Sequence, residues 1–234
     1  MPETELTDAA REALRLLVTG DATLWTIVWI SLRVSLLALL IATPPAVAVA
    51  FLLATVRFPG RRAVVVGLQS LLSFPTVVVG LILYLLLTRQ GPLGGLQLLY
   101  TQDAMIAGQA IIAFPVLAAF AFAAIQGADL RVRETALALG ATRARAACTT
   151  LFEVRFALVA AVLSGFGRVI SEVGCAMMVG GNIAGVTRNI PTAISLEASK
   201  GDFAQGIALG GVLMVFALGA NVLLAWAQGR GGMD

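Results

Sequence analysis

The amino-acid sequence describes an all-α, polytopic membrane protein with five transmembrane helices. The N-terminus lies outside, the C-terminus inside, and one long helical loop faces the inner side. Two observations carry this reading. Of 234 residues, 59% are hydrophobic and 12% charged, with a mean hydropathy of +0.93. The apolar residues also come in blocks of about the 20 residues a helix needs to cross a hydrocarbon core. Backbone polar groups have no water to bond in lipid, so spanning segments are helices or closed barrels. The short alternating strands of a barrel do not occur in this sequence.

Residues 1–21 are polar and form an interfacial lead-in, with Thr7 placed to cap a short helix over 8–17. The first apolar block, 23–56, contains Pro44 and Pro45 but no charge or turn cluster near Thr43. It reads as one long helix, kinked or tilted, because proline removes one helical hydrogen bond and membrane neighbours tolerate the gap. The second block is 63–87 with Pro75 inside, and the third is 104–125 with Pro115 inside. The fourth is 156–179 and the fifth 203–226. Trp25, Trp29, Tyr84, Tyr100 and Trp226 fall near block ends, where amphipathic rings favour the interface.

Five crossings place the segments 57–62, 128–155 and the C-terminus on one side. Nine basic residues lie there, among them Arg57, Arg61, Arg62, Arg131 and Arg133. The other side has five: Arg11, Arg15, Arg89, Arg188 and Lys200. The bias makes the first side cytoplasmic. No internal repeat stands out, so the chain reads as one membrane domain, 22–230, behind the segment 1–21.

Several function classes drop out. The net charge is +3 with pI near 9.4, but the arginines are scattered through short loops without interleaved aromatics, so nucleic acid is not a partner. There is no histidine, which removes the commonest metal ligand and general base; no metal site is expected. Cys148 falls in a loop and Cys175 in a helix, an arrangement that does not suggest a disulfide. The first residues are acidic where a signal peptide is basic, so no cleavage is expected. No P-loop sequence is present, so ATP is not bound here by that motif. An intramembrane enzyme has only Ser171 and Glu172 to work with. An ion-coupled carrier calls for inverted repeats and midplane carboxylates, and Glu172 alone is slender support.

The long loop reads ADLRVRETALALGATRARAACTTLFEVR over 128–155. Its Ala- and Leu-rich composition favours two short helices, and Gly140 permits a sharp turn between them. Glu134 falls near the start of the first helix, where the dipole favours a carboxylate; Arg143 and Arg145 fall on the second. A loop of this length that is not disordered has a function beyond setting topology.

A second feature is charge inside the fourth block. Arg168 and Glu172 are four residues apart, so on one helix they share a face and are able to pair. Intramembrane charges face a protein interior or a watery cavity, which leaves two readings: a structural ion pair, or a lining of a translocation path. Arg33 likewise either snorkels to the interface or contributes to such a path. Gly165, Gly167, Gly174, Gly180 and Gly181 suit close helix packing first and motion second.

Glu134, Ala136 and Gly140 resemble the E-A-A-x3-G core of the cytoplasmic loop in ABC-importer permeases of the small, five-helix, oxyanion-carrying type. Thr135 replaces the first Ala of that core, and Thr150, Phe152 and Glu153 replace its I-x-L-P ending. The segment 164–206 resembles tungstate-uptake permeases through ISEVG (170–174), VGGNI (179–183) and LEASKGDF (196–203); molybdate and sulfate relatives tend toward Glu-Phe-Gly in the first. The likeness spans about 23–227. It implies that 128–150 is a coupling loop in which Glu134, Ala136, Gly140 and Arg143 meet a separate ATPase. It also implies that Arg168, Glu172, Asn182 and Arg33 border the path or pair helices. Implied partners are a second copy of the chain, two ATP-binding subunits, an extracytoplasmic binding protein and membrane lipid, in the plasma membrane of a prokaryote. No cofactor belongs to this chain; ATP sits on the partner. The implied cargo is tungstate, with molybdate, then sulfate, as alternatives, and an ion-coupled carrier as the competing class.

Overall fold

The structure, a computed structural model, describes residues 3–128 and 130–231, with side chains over 11–128 and 131–226. The described residues form helices and no strands. In chain order they are α1 (Glu3–Thr19), α2 (Ala22–Thr55), α3 (Arg61–Ser70), α4 (Thr76–Leu87), α5 (Gln102–Gln126), α6 (Leu130–Ala138), α7 (Arg143–Glu153), α8 (Arg155–Ile170), α9 (Gly174–Gly180), α10 (Ile190–Lys200) and α11 (Phe203–Gly231).

The central pair is α2 and α5. Ala38, Ala42, Ala46 and Ala50 recur every fourth residue along α2 and are all buried. This small-residue stripe lets Ala113, Leu117, Ala118 and Ala121 of α5 approach closely. Pro44 and Pro45 leave α2 unbroken, as the sequence suggests. Thr43 Oγ1 bonds the Leu39 carbonyl one turn back.

The second and fourth blocks are not single helices. A 94° bend separates α3, with its 3-10 extension Leu71–Ser73, from α4. Pro75 is the cause: it restricts Phe74 to extended backbone (φ −70°, ψ 131°) and itself becomes the N-cap of α4. The fourth block stops at Ile170 and resumes at Gly174. Ser171 Oγ bonds the carbonyls of Gly167 and Arg168, while the Glu172 carboxylate accepts from the Cys175 N–H. These local bonds compete with continued helix. Upstream, α7 and α8 meet at 66° across Val154.

Two further corrections apply. The first helix begins at Glu3, so Thr7 is an interior residue rather than a cap. That helix also does more than lead in: buried Ala13 joins α2, α10 and α11 around Leu24, Ile27 and Leu209. In addition, α10 went unassigned from sequence. It starts on a capping box between Asn189 and Thr192, with Pro191 in its first turn. The Ile190 N–H donates to Ser31 Oγ of α2 at 2.7 Å.

Around this centre, α8 lies on α2 and α5 through Gly165, and α9 crosses α4 at Gly80. The helices α2, α5 and α11 are each long and apolar enough to span a membrane. The bent pairs α3–α4 and α7–α8 supply two further candidate spans. Trp29, Leu36 and Leu40 of α2 and Met214, Val215 and Leu218 of α11 are exposed, as expected of helix faces in lipid.

Candidate functional site

The α6–α7 hairpin takes its shape from one glycine. Gly140 has φ +83°, a left-handed conformation that L side chains resist. Three backbone bonds close the end of α6: Leu139 N to Thr135 O, Gly140 N to Leu137 O and Ala141 N to Ala136 O, each at 3.0 Å. Thr142 then caps α7 by accepting from the Arg145 N–H at 3.3 Å. The two helices bound a groove of about 680 Å³ lined by Arg131, Ala136, Leu139, Gly140, Arg145 and Thr149. Leu139 is 83% exposed at its tip. On the inner side of the hairpin, Ala146 and Thr150 are buried.

The sequence expectation for Glu134 needs adjustment. It is the fifth residue of α6 rather than a first-turn residue, and it lines a polar cleft of about 530 Å³ with Arg57, Arg133 and Thr150. Arg143, at the start of α7, is exposed. Ala136 and Gly140 therefore share the groove, Glu134 lies on the neighbouring cleft, and Arg143 lines neither.

A different arrangement surrounds Arg168 and Glu172. Glu172 lies past the end of α8, so the two do not share a helical turn, yet Arg168 Nη1 reaches Glu172 Oε2 at 2.9 Å. Glu172 Oε1 accepts from the Cys175 N–H at 3.1 Å. Both carboxylate oxygens are thus held, and the residue is 2% exposed. Arg168 borders a cavity of about 380 Å³ whose other walls come from α2, the α3–α4 corner and α5. Pro45, Phe74 and Pro115 line it, so three helix irregularities converge beside one guanidinium.

Asn182 and Arg33 do not line that cavity. Asn182 sits in the turn after α9 with φ +52°. Its carbonyl accepts from Arg188 Nη2 at 3.4 Å and its Nδ2 donates to Thr192 O at 3.4 Å. Its Oδ1 and Arg188 Nε are buried with no bond. Arg33 donates to Gln102 Oε1 at 3.0 Å, and Gln102 Nε2 donates to Val186 O at 2.7 Å. Arg33 and Asn182 therefore both serve the 181–189 turn, one through Gln102. Gln102 and Arg188 were not singled out from sequence. Arg188 carries a visible signal, a charge in VTRNI; Gln102 carries none, because its role depends on a partner 84 residues away.

No family model matches the chain. A probable anion ABC transporter permease protein of Haloferax volcanii is 42% identical over 178 residues, covering 74% of this chain and 77% of that one. A tungstate uptake system permease protein of Peptoclostridium acidaminophilum is 36% identical over 219 residues, covering 94% of this chain and 96% of its own. The fold is that of a solved amino acid ABC transporter chain, with TM-score 0.68 at 18% identity over 92% of this chain and 96% of the other.

Proposed function

This chain belongs to the anion-type permeases of ABC transporters, and from that premise we propose that it forms the membrane pathway for ATP-driven uptake of tungstate. The observation that carries the cargo is the 36% identity to a tungstate permease along 94% of the chain. The anionic class fits a pathway bordered by a partly exposed arginine paired with a buried glutamate.

In this reading, residues 22–230 are the permease domain and 1–21 a preceding segment. Five crossings arise from α2, the α3–α4 pair, α5, the α7–α8 pair and α11, with the N-terminus outside and the C-terminus in the cytoplasm. Support comes from the three long helices, the two bent pairs and the arginine bias. Two copies enclose the pathway, and the chain resides in the plasma membrane as a transport component rather than a catalyst. ATP-binding subunits work beside it as separate chains, and a binding protein delivers the anion from outside.

The α6–α7 hairpin is the part that meets the ATPase. Glu134, Ala136, Gly140 and Arg143 form its contact set, and exposed Leu139 supports an apolar anchor among them. Closure of the ATPase moves the hairpin, and the pathway shifts between two states of differing access. Arg168, Glu172, Asn182 and Arg33 act along the pathway and its turn-bearing end. Selectivity rests largely on the binding protein, because a conducting path must bind weakly enough to release.

The test is co-purification and uptake. Wild-type chain should retain its ATPase subunit, and Glu134→Arg should lose it while still inserting in the membrane. Proteoliposomes holding the complex should take up tungstate with ATP and the binding protein. Uptake by this chain alone, without ATP, would replace the permease reading with an autonomous carrier.

A further inference from the structure

We propose that the Arg168 guanidinium is the oxyanion contact of the cavity between α2, the α3–α4 corner and α5, with Glu172 as an immobile counter-charge that keeps the anion's stay short. The proposal rests on the permease reading and names its transit site.

The argument begins with the asymmetry of the pair. Glu172 has both oxygens engaged and is 2% exposed. Arg168 has a side chain 39% exposed and makes one bond, from Nη1. A guanidinium carries five N–H groups in a planar fork. The remaining donors have no protein partner among the described residues, and Arg168 is one of the residues that line the cavity. Arg168 lines the cavity and Glu172 does not, so the charge open to an arriving tetrahedral dianion is the guanidinium's rather than the carboxylate's.

The cavity suits transit. Its wall is apolar apart from Arg168 and Thr76, which offers an anion little else to bind. Pro45 cannot bond the Ile41 carbonyl, nor Pro115 the Ile111 carbonyl, and both isoleucines line the cavity. Those freed acceptors favour water, so the anion need not shed its whole shell. A fully uncompensated arginine in such a place would trap a dianion. One already paired with a fixed carboxylate attracts it more weakly, which conduction requires.

The neutral double variant Arg168→Gln, Glu172→Gln separates this from a purely packing role. Replacing a whole ion pair by neutral groups of similar size preserves packing far better than breaking one partner. In proteoliposomes with the ATPase and binding protein, the assembled double variant should take up tungstate at least about tenfold more slowly than wild type, a loss of transition-state contact. Assembly with uptake within about twofold of wild type would overturn the proposal.

A second measurement leaves the pair intact. In Thr76→Cys on a Cys148→Ser background, the ratio of anionic to cationic methanethiosulfonate reaction rates at the cavity thiol should exceed the same ratio for a free thiol in solution, because Arg168 lines the cavity. A ratio below that of the free thiol would overturn the proposal. This comparison needs no transport, so wild-type proteoliposomes that show no ATP-dependent uptake would sink the permease reading alone.

Discussion

Leu139 is a large apolar side chain, 83% exposed, at the tip of the hairpin, and more exposed than Leu137 or Phe152 on the two helices. Such a residue gains most when a partner covers it, and a buried central anchor often dominates an interface. Leu139→Asp should therefore weaken ATPase association about tenfold or more while leaving the permease's own stability unchanged; a binding titration against the isolated ATPase checks this. Gly140 acts differently, through the backbone. With φ +83° and open space where a Cβ would go, Gly140→Ala meets no neighbour and suffers only the left-handed penalty of roughly 1–2 kcal/mol. The expected outcome is a loosened hairpin, seen as faster proteolysis between α6 and α7, with no change in the membrane helices. The turn at Gly140 was legible because one residue decides it. Gln102 was not, because its partner lies 84 residues away; the Arg188 bond to the Asn182 carbonyl spans six residues but depends on a turn geometry that no helical or strand period announces.

Prolines show how far local signals reach at the scale of elements. Pro44 and Pro45 leave α2 continuous, whereas Pro75 turns the chain by 94°. The difference lies in what surrounds them. The second half of α2 is held through buried Ala46 and Ala50 against α5, while the residues before Pro75 leave Leu71 and Leu72 exposed on a short 3-10 turn. Sequence gives the position of each break; packing gives its angle. The break at 171–173 was missed for the opposite reason, since Ser171 and Glu172 end α8 by side-chain bonds that periodicity does not register. Glycine contacts are the other element-scale device. A Cβ on Gly80 would lie 2.8 Å from the Cys175 Cα, a backbone atom that cannot swing away. Gly80→Leu should force α4 from α9 and cost about 1–3 kcal/mol or more, read as a lower thermal midpoint of the detergent-solubilised protein. A midpoint equal to wild type would mean that α4 and α9 are not in close contact.

Whole-molecule topology combines features of very different legibility. The all-helical class follows from composition and block length, which the bilayer dictates. The inward docking of α1 and the presence of α10 do not, because both depend on a shared apolar cluster around Leu209. Sidedness rests on the arginine bias alone, nine basic residues against five, so it calls for a direct measurement. The native cysteines provide one. Cys148 is exposed on α7 and Cys175 is buried against α5, so unmodified protein carries a single accessible thiol on the α6–α7 hairpin. In vesicles holding this chain without its ATPase, a membrane-impermeant maleimide should label inverted vesicles and leave right-side-out vesicles unlabelled. Cys148→Ser should abolish the signal and Cys175→Ser should not. Labelling of right-side-out vesicles instead would place α6 and α7 outside the cell, where no ATPase reaches them. Because the hairpin follows α5 and precedes α8, the same result would reverse every crossing assigned above, including which end of α2 carries Arg33.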